Sequence, residues 1–126
     1  MDKRQAQDVL VSLEGIHRMQ KSLRRPDALD MVISTGLIFL RLGYEKLPPG
    51  IARRLTEIDP GALDEAAGAV GEKGTPEQRR ALADRLASEA AFAQVIRAVN
   101  IYRERLGYEL LGPDGEPELE GGVPGP

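Results

Sequence analysis

The sequence has no cysteine and no tryptophan, and a single histidine, His17, among its 126 residues. The absence of cysteine excludes a disulfide framework and a thiolate metal site. Because only one imidazole is present, a histidine-rich metal centre or a histidine-based catalytic triad would require a second copy of the chain. We therefore expect a protein that is not an enzyme and that has no catalytic residue, no metal ligand and no cofactor.

The sequence also has no apolar segment long enough to cross a membrane. The longest one, from Met31 to Leu42, contains Ser34, Thr35 and Arg41 and is far shorter than the roughly 20 residues that cross a bilayer. The first residues are charged and lack the apolar segment and small-residue cleavage site of a secretory leader. The sequence therefore predicts a cytoplasmic protein that does not span a membrane.

Charge is distributed unevenly along the chain. The 17 basic and 20 acidic residues give a net charge of −3. Residues 112–126 contain several acidic residues and no basic one, so residues 1–111 are electrically almost balanced. The same last segment is rich in glycine and proline and has too little apolar surface to offset the entropy of ordering. We expect one helical domain over residues 1–111 and a flexible, disordered acidic tail over residues 112–126.

The spacing of apolar residues predicts helices along most of the chain. A first helix, from Lys3 to Leu23, has its apolar residues on one side and ends before Pro26. Asp27 is positioned to cap a second helix. The apolar residues of this second helix cover nearly its whole circumference, a pattern typical of a helix packed on several sides in the middle of a bundle.

Further helices are predicted after the second one. A short third helix starts near Pro49, and Asp59 followed by Pro60 is a cap that begins a fourth. The segment Thr75–Gln78 matches a capping box. The apolar residues before Ser88 and those after it project in different directions, so Ser88 is predicted to cap another helix after a break. No segment alternates with a period of two. The predicted fold is all-α, a compact bundle of five or six helices with the disordered acidic tail.

One acid and the only imidazole lie on the same face of the first helix. Glu14 and His17 have the Glu-x-x-His spacing of carboxylate-bridged di-iron bundles. Such centres need two copies of the motif and further glutamates that point inward, and the sequence offers neither. The preferred interpretation is that His17 packs at the border of the apolar stripe, and a small metal-binding protein is the third hypothesis for the function.

Basic residues recur at helical spacing on the first and third helices. Arg18, Lys21 and Arg25 share one face at the end and exit of the first helix, at spacings of three and four residues, and Arg53 and Arg54 are adjacent on the third. These five residues are the candidate contacts to a nucleic-acid backbone. The alternative interpretation is a solvated surface whose cations lie near the negative ends of helix dipoles.

The end of the last helix carries apolar residues away from its main stripe. Ile101 falls on the helix face opposite to the stripe, directly before Tyr102 in the sequence. Tyr108 and Leu110 follow a few residues later. A contiguous set of apolar side chains on a small helical protein is typical of a docking face. Ile101, Tyr102, Tyr108 and Leu110 are therefore the candidate contacts to a protein partner.

Residues 28–40, with the sequence ALDMVISTGLIFL, resemble the apolar helix of the small helical subunit in type III-B CRISPR effector complexes. The chain length and the helix predicted ahead of this segment are similar as well. The resemblance implies an RNA-binding role, in which basic subunits stack along a guide duplex. This chain differs from that pattern in its net charge of −3, and the resemblance assigns no binding residue.

The sequence leaves three functional hypotheses. The first is a non-enzymatic small helical subunit or adaptor that docks onto a larger assembly through protein–protein contacts, with another protein or as a homo-oligomer. The second is a helical subunit that binds a nucleic-acid backbone through pairs of arginine and lysine. The third is the metal-binding protein that uses Glu14 and His17.

Overall fold

The computed structural model describes residues 1–56, 70 and 73–116. In these residues the chain forms five helices and no β-strand, which confirms the predicted all-α fold. The helices are α1 (Lys3–Leu23), α2 (Asp30–Glu45), α3 (Pro49–Thr56), α4 (Pro76–Leu86) and α5 (Glu89–Leu106). The helix predicted to begin at Asp59 and residues 117–126 of the predicted tail lie outside the described residues.

Both ends of α1 follow from the local sequence. Asp2 caps its first turn, because the Oδ1 atom of Asp2 accepts a hydrogen bond from the backbone N–H of Gln5 at 2.8 Å. The Oε1 atom of Gln5 in turn accepts a bond of 2.9 Å from the N–H of Asp2. The helix ends at Leu23, shortly before Pro26, as predicted.

α1 lies in the middle of the bundle, where α2 and α5 both pack against it. Two glycines bring α2 close to α1. A Cβ atom at Gly36 would lie 2.7 Å from Cδ2 of Leu23, and one at Gly43 would lie 2.8 Å from Cγ1 of Ile16. Any larger residue at these positions would have to displace α1 side chains. α4 packs against α2, and α3 contacts both α2 and α5.

α2 begins later than the sequence predicts. Leu29 occupies the N-cap position and its side chain makes no capping hydrogen bond, so the prediction that Asp27 caps the helix is wrong. Asp30, in the first turn, is instead bound by Arg79 of α4 through two hydrogen bonds of 2.9 Å. This bidentate pair places a negative charge at the positive end of the helix and ties the start of α2 to α4.

The break between α4 and α5 is confirmed. The hydroxyl of Thr75 accepts a hydrogen bond of 3.1 Å from the N–H of Gln78, which completes the predicted capping box of α4. Ser88 caps α5, because its hydroxyl accepts a bond of 3.1 Å from the N–H of Ala91. Two helices of different direction can bury two apolar stripes that a single straight helix could not.

Residues 107–116 turn back along α5. Gly107, with φ of 81°, ends α5 in the left-handed conformation that favours glycine. Asn100 then binds the backbone of Leu111 twice: its Nδ2 donates to the carbonyl oxygen at 2.9 Å, and its Oδ1 accepts from the N–H at 2.7 Å. In the first part of the predicted tail, Gly112 and Gly115 are buried, and Gly115 and Glu116 contact His17 and Lys21 of α1.

None of the helices in the described part of the chain combines the length and the apolar character needed to cross a bilayer.

Candidate protein-docking surface

The outer face of α2 is apolar and exposed. Met31 is 77%, Ile38 52% and Phe39 54% exposed, and Val32 and Leu42 are exposed beside them. We call these five residues, together with the exposed Thr35, the α2 outer face. α1, α3 and α4 contact α2, but no described element covers its outer face, which the sequence predicted to be packed as well.

The outer face has the spacing of a helix-packing seam. Met31, Thr35, Ile38 and Leu42 follow one another at intervals of four, three and four residues. This alternation keeps side chains on one line along a helix, and it is the spacing by which one helix packs against another in a coiled coil. The α2 outer face is therefore suited to contact with a helix that the described chain does not supply.

A groove between α1 and α2 borders this face. Its volume is about 430 Å³, and Phe39 and Leu42 line it from α2. Val11 of α1, which is 65% exposed, lines the opposite side. Gly15 and Gly43 also line the groove: a Cβ atom at Gly15 would meet no atom within 4 Å, whereas Gly43 is in close contact with Ile16 of α1. The groove widens the apolar surface beyond a single helix.

The residues predicted to bind a partner do not all line one groove. Ile101 is 54% exposed and lines a second groove, between α3 and α5. Tyr102 lines the same groove but is buried at 9% exposure, so its predicted role as an open docking residue is wrong. Tyr108 and Leu110 are exposed in the segment after α5, and neither lines this groove.

The predicted basic residues of α1 are separated by their surroundings. Arg18 lines the α1–α2 groove. Lys21 forms an ion pair of 2.5 Å with Glu116, and Arg25 lies 3.7 Å from Asp27 in the turn after α1. Two of the three cations thus have acidic partners, which reduces the positive potential that a phosphate would meet.

The basic residues of α3 have a different setting. Arg53 and Arg54 are exposed, and Arg54 lines the α3–α5 groove, whose volume is about 350 Å³. Arg97 and Arg105 of α5 line the same groove, and within the described residues its lining contains no acidic side chain. We call Arg54, Arg97 and Arg105 the arginine groove. Three guanidinium groups thus surround one groove.

Glu14 and His17 contact separate hydrogen-bond partners. An oxygen of Glu14 accepts a hydrogen bond of 2.9 Å from Arg103 of α5. The Nε2 atom of His17 lies 3.2 Å from the carbonyl oxygen of Gly115. Because a carbonyl only accepts, Nε2 carries the proton and donates it. No group of three histidine, aspartate or glutamate residues that could hold a metal occurs in the described part of the chain.

His17 and Asn100 hold the C-terminal segment in place, and we call their contacts with residues 111–116 the C-terminal clasp. The ring of His17 is 6% exposed and its centroid lies 5.1 Å from that of Phe92. A Cβ atom at Gly115 would lie 2.6 Å from Nε2 of His17, so glycine is required where the segment passes over the ring. The clasp is a packed structural contact and not an open site.

The buried position of the His17 imidazole lowers its pKa below the ordinary value of 6.5. The positive charges of Lys21 and Arg18 lower it further, while the carbonyl of Gly115 and the carboxylate of Glu116 act in the opposite direction. The Nδ1 atom is buried and has no hydrogen-bond partner among the described residues, so a second proton on the ring would be left without an acceptor.

Comparison of the chain with protein-family models, with curated proteins and with solved structures gives no match. The choice among the candidate surfaces therefore depends on their geometry and chemistry.

The sequence does not predict the α2 outer face, because apolar residues around the whole circumference of a helix indicate burial on every side. The informative signal was the spacing of Met31, Ile38 and Leu42, which marks a second stripe on a helix whose inner stripe already contains Leu37 and Leu40. Two stripes require two sets of neighbours. The chain supplies only one set within its described residues.

Proposed function

We propose that this protein is a non-enzymatic helical subunit that docks onto a protein partner through the α2 outer face. The observation that supports this most strongly is the contiguous row of exposed apolar side chains from Met31 to Leu42. Burying one such side chain contributes about 1.5–3 kcal/mol. A monomer that leaves several of them in water side by side loses this energy, and patches of this kind are typical of interaction sites.

A helix is the partner element that best fits this surface. The alternation of four and three residues from Met31 to Leu42 allows the side chains of an approaching helix to interlock with those of α2. The α1–α2 groove offers further apolar contact through Val11 and Phe39. The docking role needs no reaction centre.

The test compares two exposed isoleucines of equal accessibility. Ile38, on the α2 outer face, is 52% exposed, and Ile101, on α5, is 54% exposed. The wild-type chain, Ile38→Asp and Ile101→Asp are immobilised and used to capture proteins from an extract of the native cells. We expect the partner retained by the wild type to bind Ile38→Asp at least about tenfold more weakly, because the new carboxylate would be buried without a partner.

The Ile101→Asp variant is the control, and it should retain the partner. Loss of binding with Ile101→Asp and retention with Ile38→Asp would move the docking site to α5 and contradict the proposal. Circular dichroism of both variants shows whether the helices are intact, so that a folding defect is not mistaken for weaker docking.

The arginine groove supports a second candidate function, binding of a nucleic-acid backbone. Arg54, Arg97 and Arg105 surround one groove, and no acid of the described chain lines it. Guanidinium groups grouped in this way bind phosphates well. The resemblance of residues 28–40 to the small subunit of type III-B CRISPR effector complexes implies the same class of ligand.

Titration of a labelled single-stranded RNA at several salt concentrations tests this second function. If the arginine groove binds phosphates, affinity falls steeply with salt, and Arg97→Ala reduces the slope of log K against log salt by about 0.7, because one phosphate no longer has a guanidinium partner. Arg25→Ala is the matched control, since Arg25 lies outside the groove. Absence of salt-dependent binding, or equal effects of the two substitutions, would contradict a nucleic-acid role for the groove.

A further inference from the structure

We propose that the partner of the α2 outer face is a second copy of this chain, joined through an antiparallel pair of α2 helices related by a twofold axis. In this pair Met31 of one copy faces Leu42 of the other. The inference rests on the proposed docking function and identifies its partner.

The seam is complementary to itself in the antiparallel direction. Its intervals of four, three and four residues read the same from either end. A register that sets Met31 against Leu42 of the second copy therefore also sets Thr35 against Ile38, and a twofold axis repeats both contacts. No position of the seam is left without an opposite residue, as a closed dimer requires.

The flanks of the seam match as well. Val32 and Phe39 are both exposed on the α1 side of the seam, at positions seven residues apart on the helix. A twofold axis perpendicular to the two antiparallel helices brings this flank of one copy against the same flank of the other. Apolar side chains then meet apolar side chains. The opposite flank carries the polar Ser34 and Arg41, which would likewise lie beside each other at the edge of the interface.

The charges at the two ends of α2 favour the antiparallel direction over the parallel one. Lys46 follows the last turn, in which Glu45 is paired with Arg41 at 3.7 Å, and Arg18 and Lys46 both line the α1–α2 groove, so this end of α2 carries a net positive charge. Asp27 and Asp30 lie at the other end, where Asp30 is bound by Arg79 and Asp27 remains exposed. Antiparallel pairing brings Lys46 of one copy towards Asp27 of the other and also opposes the helix dipoles, whereas parallel pairing brings like charges together.

Charge alone does not decide the contact, because the acidic end also contains a cation. Arg25 lies 3.7 Å from Asp27, and both side chains are more than 70% exposed. An exposed pair at this distance is weak and exchanges easily for a new partner. Asp27 is therefore available to Lys46 of the second copy, and the apolar seam supplies most of the contact.

Disulfide cross-linking tests the register directly, because the natural chain has no cysteine. The variants Met31→Cys and Leu42→Cys are prepared separately, mixed and oxidised. In the proposed register the two new cysteines face each other, within the short distance that a disulfide requires. We expect the mixture to form several times more cross-linked dimer than Met31→Cys alone. Ile101→Cys, on α5, is the control for random collisions and should cross-link no more than Met31→Cys alone.

A mixture that cross-links no better than Met31→Cys alone would overturn the antiparallel register. The mass in solution provides the independent measurement. By light scattering over about a hundredfold range of concentration, the wild type and Ile101→Asp should reach the mass of a dimer, while Ile38→Asp should remain a monomer. Circular dichroism verifies that each variant is folded.

A wild-type chain that stays monomeric at every concentration would overturn the self-pairing inference. The docking function would then be judged by the extract experiment, in which a different protein captured through Ile38 would still support it. A chain that neither pairs with itself nor captures a protein through Ile38 would overturn both. The two failures are therefore distinguishable.

Discussion

Two regions of this molecule reverse the usual relation between polarity and burial. The α2 outer face is apolar and exposed, whereas the C-terminal clasp is held by polar groups, of which the His17 ring is buried and Asn100 is half-buried. The difference lies in what each region can contact. Nε2 of His17 and the side-chain amide of Asn100 contact backbone atoms of residues 111–116, while the described chain leaves much of the α2 outer face exposed.

Gln20 follows the same rule as the clasp. Its side chain is fully buried on α1, and its Nε2 donates a hydrogen bond of 2.9 Å to the carbonyl oxygen of Leu86, the last residue of α4. Carbonyls at the end of a helix lack partners within that helix, so a buried amide can satisfy one of them. The Nε2 donor of Gln20 thus has a backbone acceptor, while its buried Oε1 has no partner among the described residues.

The largest difference in the free energy of unfolding is expected between substitutions on the two faces of α2. Leu40 is 0% exposed, whereas Ile38 on the outer face is half exposed. Leu40→Ala removes buried methyl groups and leaves a cavity, so the free energy of unfolding should fall by about 2–5 kcal/mol. Ile38→Ala should change it by about 0.5 kcal/mol or less when the protein is dilute and monomeric. Urea unfolding followed by circular dichroism measures both. An equally large loss at Ile38 would mean that the outer face is covered within the monomer.

A smaller effect is expected from the C-terminal clasp. Asn100→Ala removes both hydrogen bonds to the backbone of Leu111, and at about 0.5–1.5 kcal/mol each the loss should be about 1–3 kcal/mol. Amide exchange of residues 111–116 should become faster even if the helices remain intact. Gln94→Ala, on the same helix but facing the α3–α5 groove, is the control. Unchanged exchange in Asn100→Ala would show that another contact holds the segment.

The sequence predicted most of the helical architecture. The limits of α1, the capping box at Thr75 and the break at Ser88 depend on local hydrogen bonds between near neighbours, and these are encoded within a few residues. The start of α2 was misplaced because Asp30 is held by Arg79, which lies far away in the chain. A local pattern does not reveal such a distant partner.

The candidate site could not be predicted for a related reason. Periodicity shows that α2 has two apolar stripes, but it does not show how many helices are available to cover them. The clasp was also missed, because the glycine-rich and acidic composition of residues 112–116 is typical of a flexible segment. Their position depends on single contacts to His17 and Lys21, and composition does not report such contacts.

The smallest expected change in the free energy of unfolding is its pH dependence. It should involve the C-terminal clasp and not the α2 outer face. His17 is the only histidine, and it is the only side chain here whose ordinary pKa lies near 6.5. Since its pKa is lowered in the folded chain, the unfolded chain binds the proton more readily. The contribution of the neutral ring to stability is therefore complete above pH 6.5 and is lost as the pH falls from 6.5 towards the lowered value. Urea unfolding of the wild type across this range should show the decline.

His17→Gln provides the comparison for this titration. Its amide can still donate to the carbonyl of Gly115 but does not titrate, so the decline below pH 6.5 should flatten in this variant. Amide exchange locates the effect: acidification should loosen residues 111–116 of the wild type and leave the α2 outer face unchanged, since no histidine lies there. Equal pH dependence in the two proteins would assign the decline to carboxylates instead. The clasp would then be held by packing of Gly115 against the ring, whichever charge the ring carries.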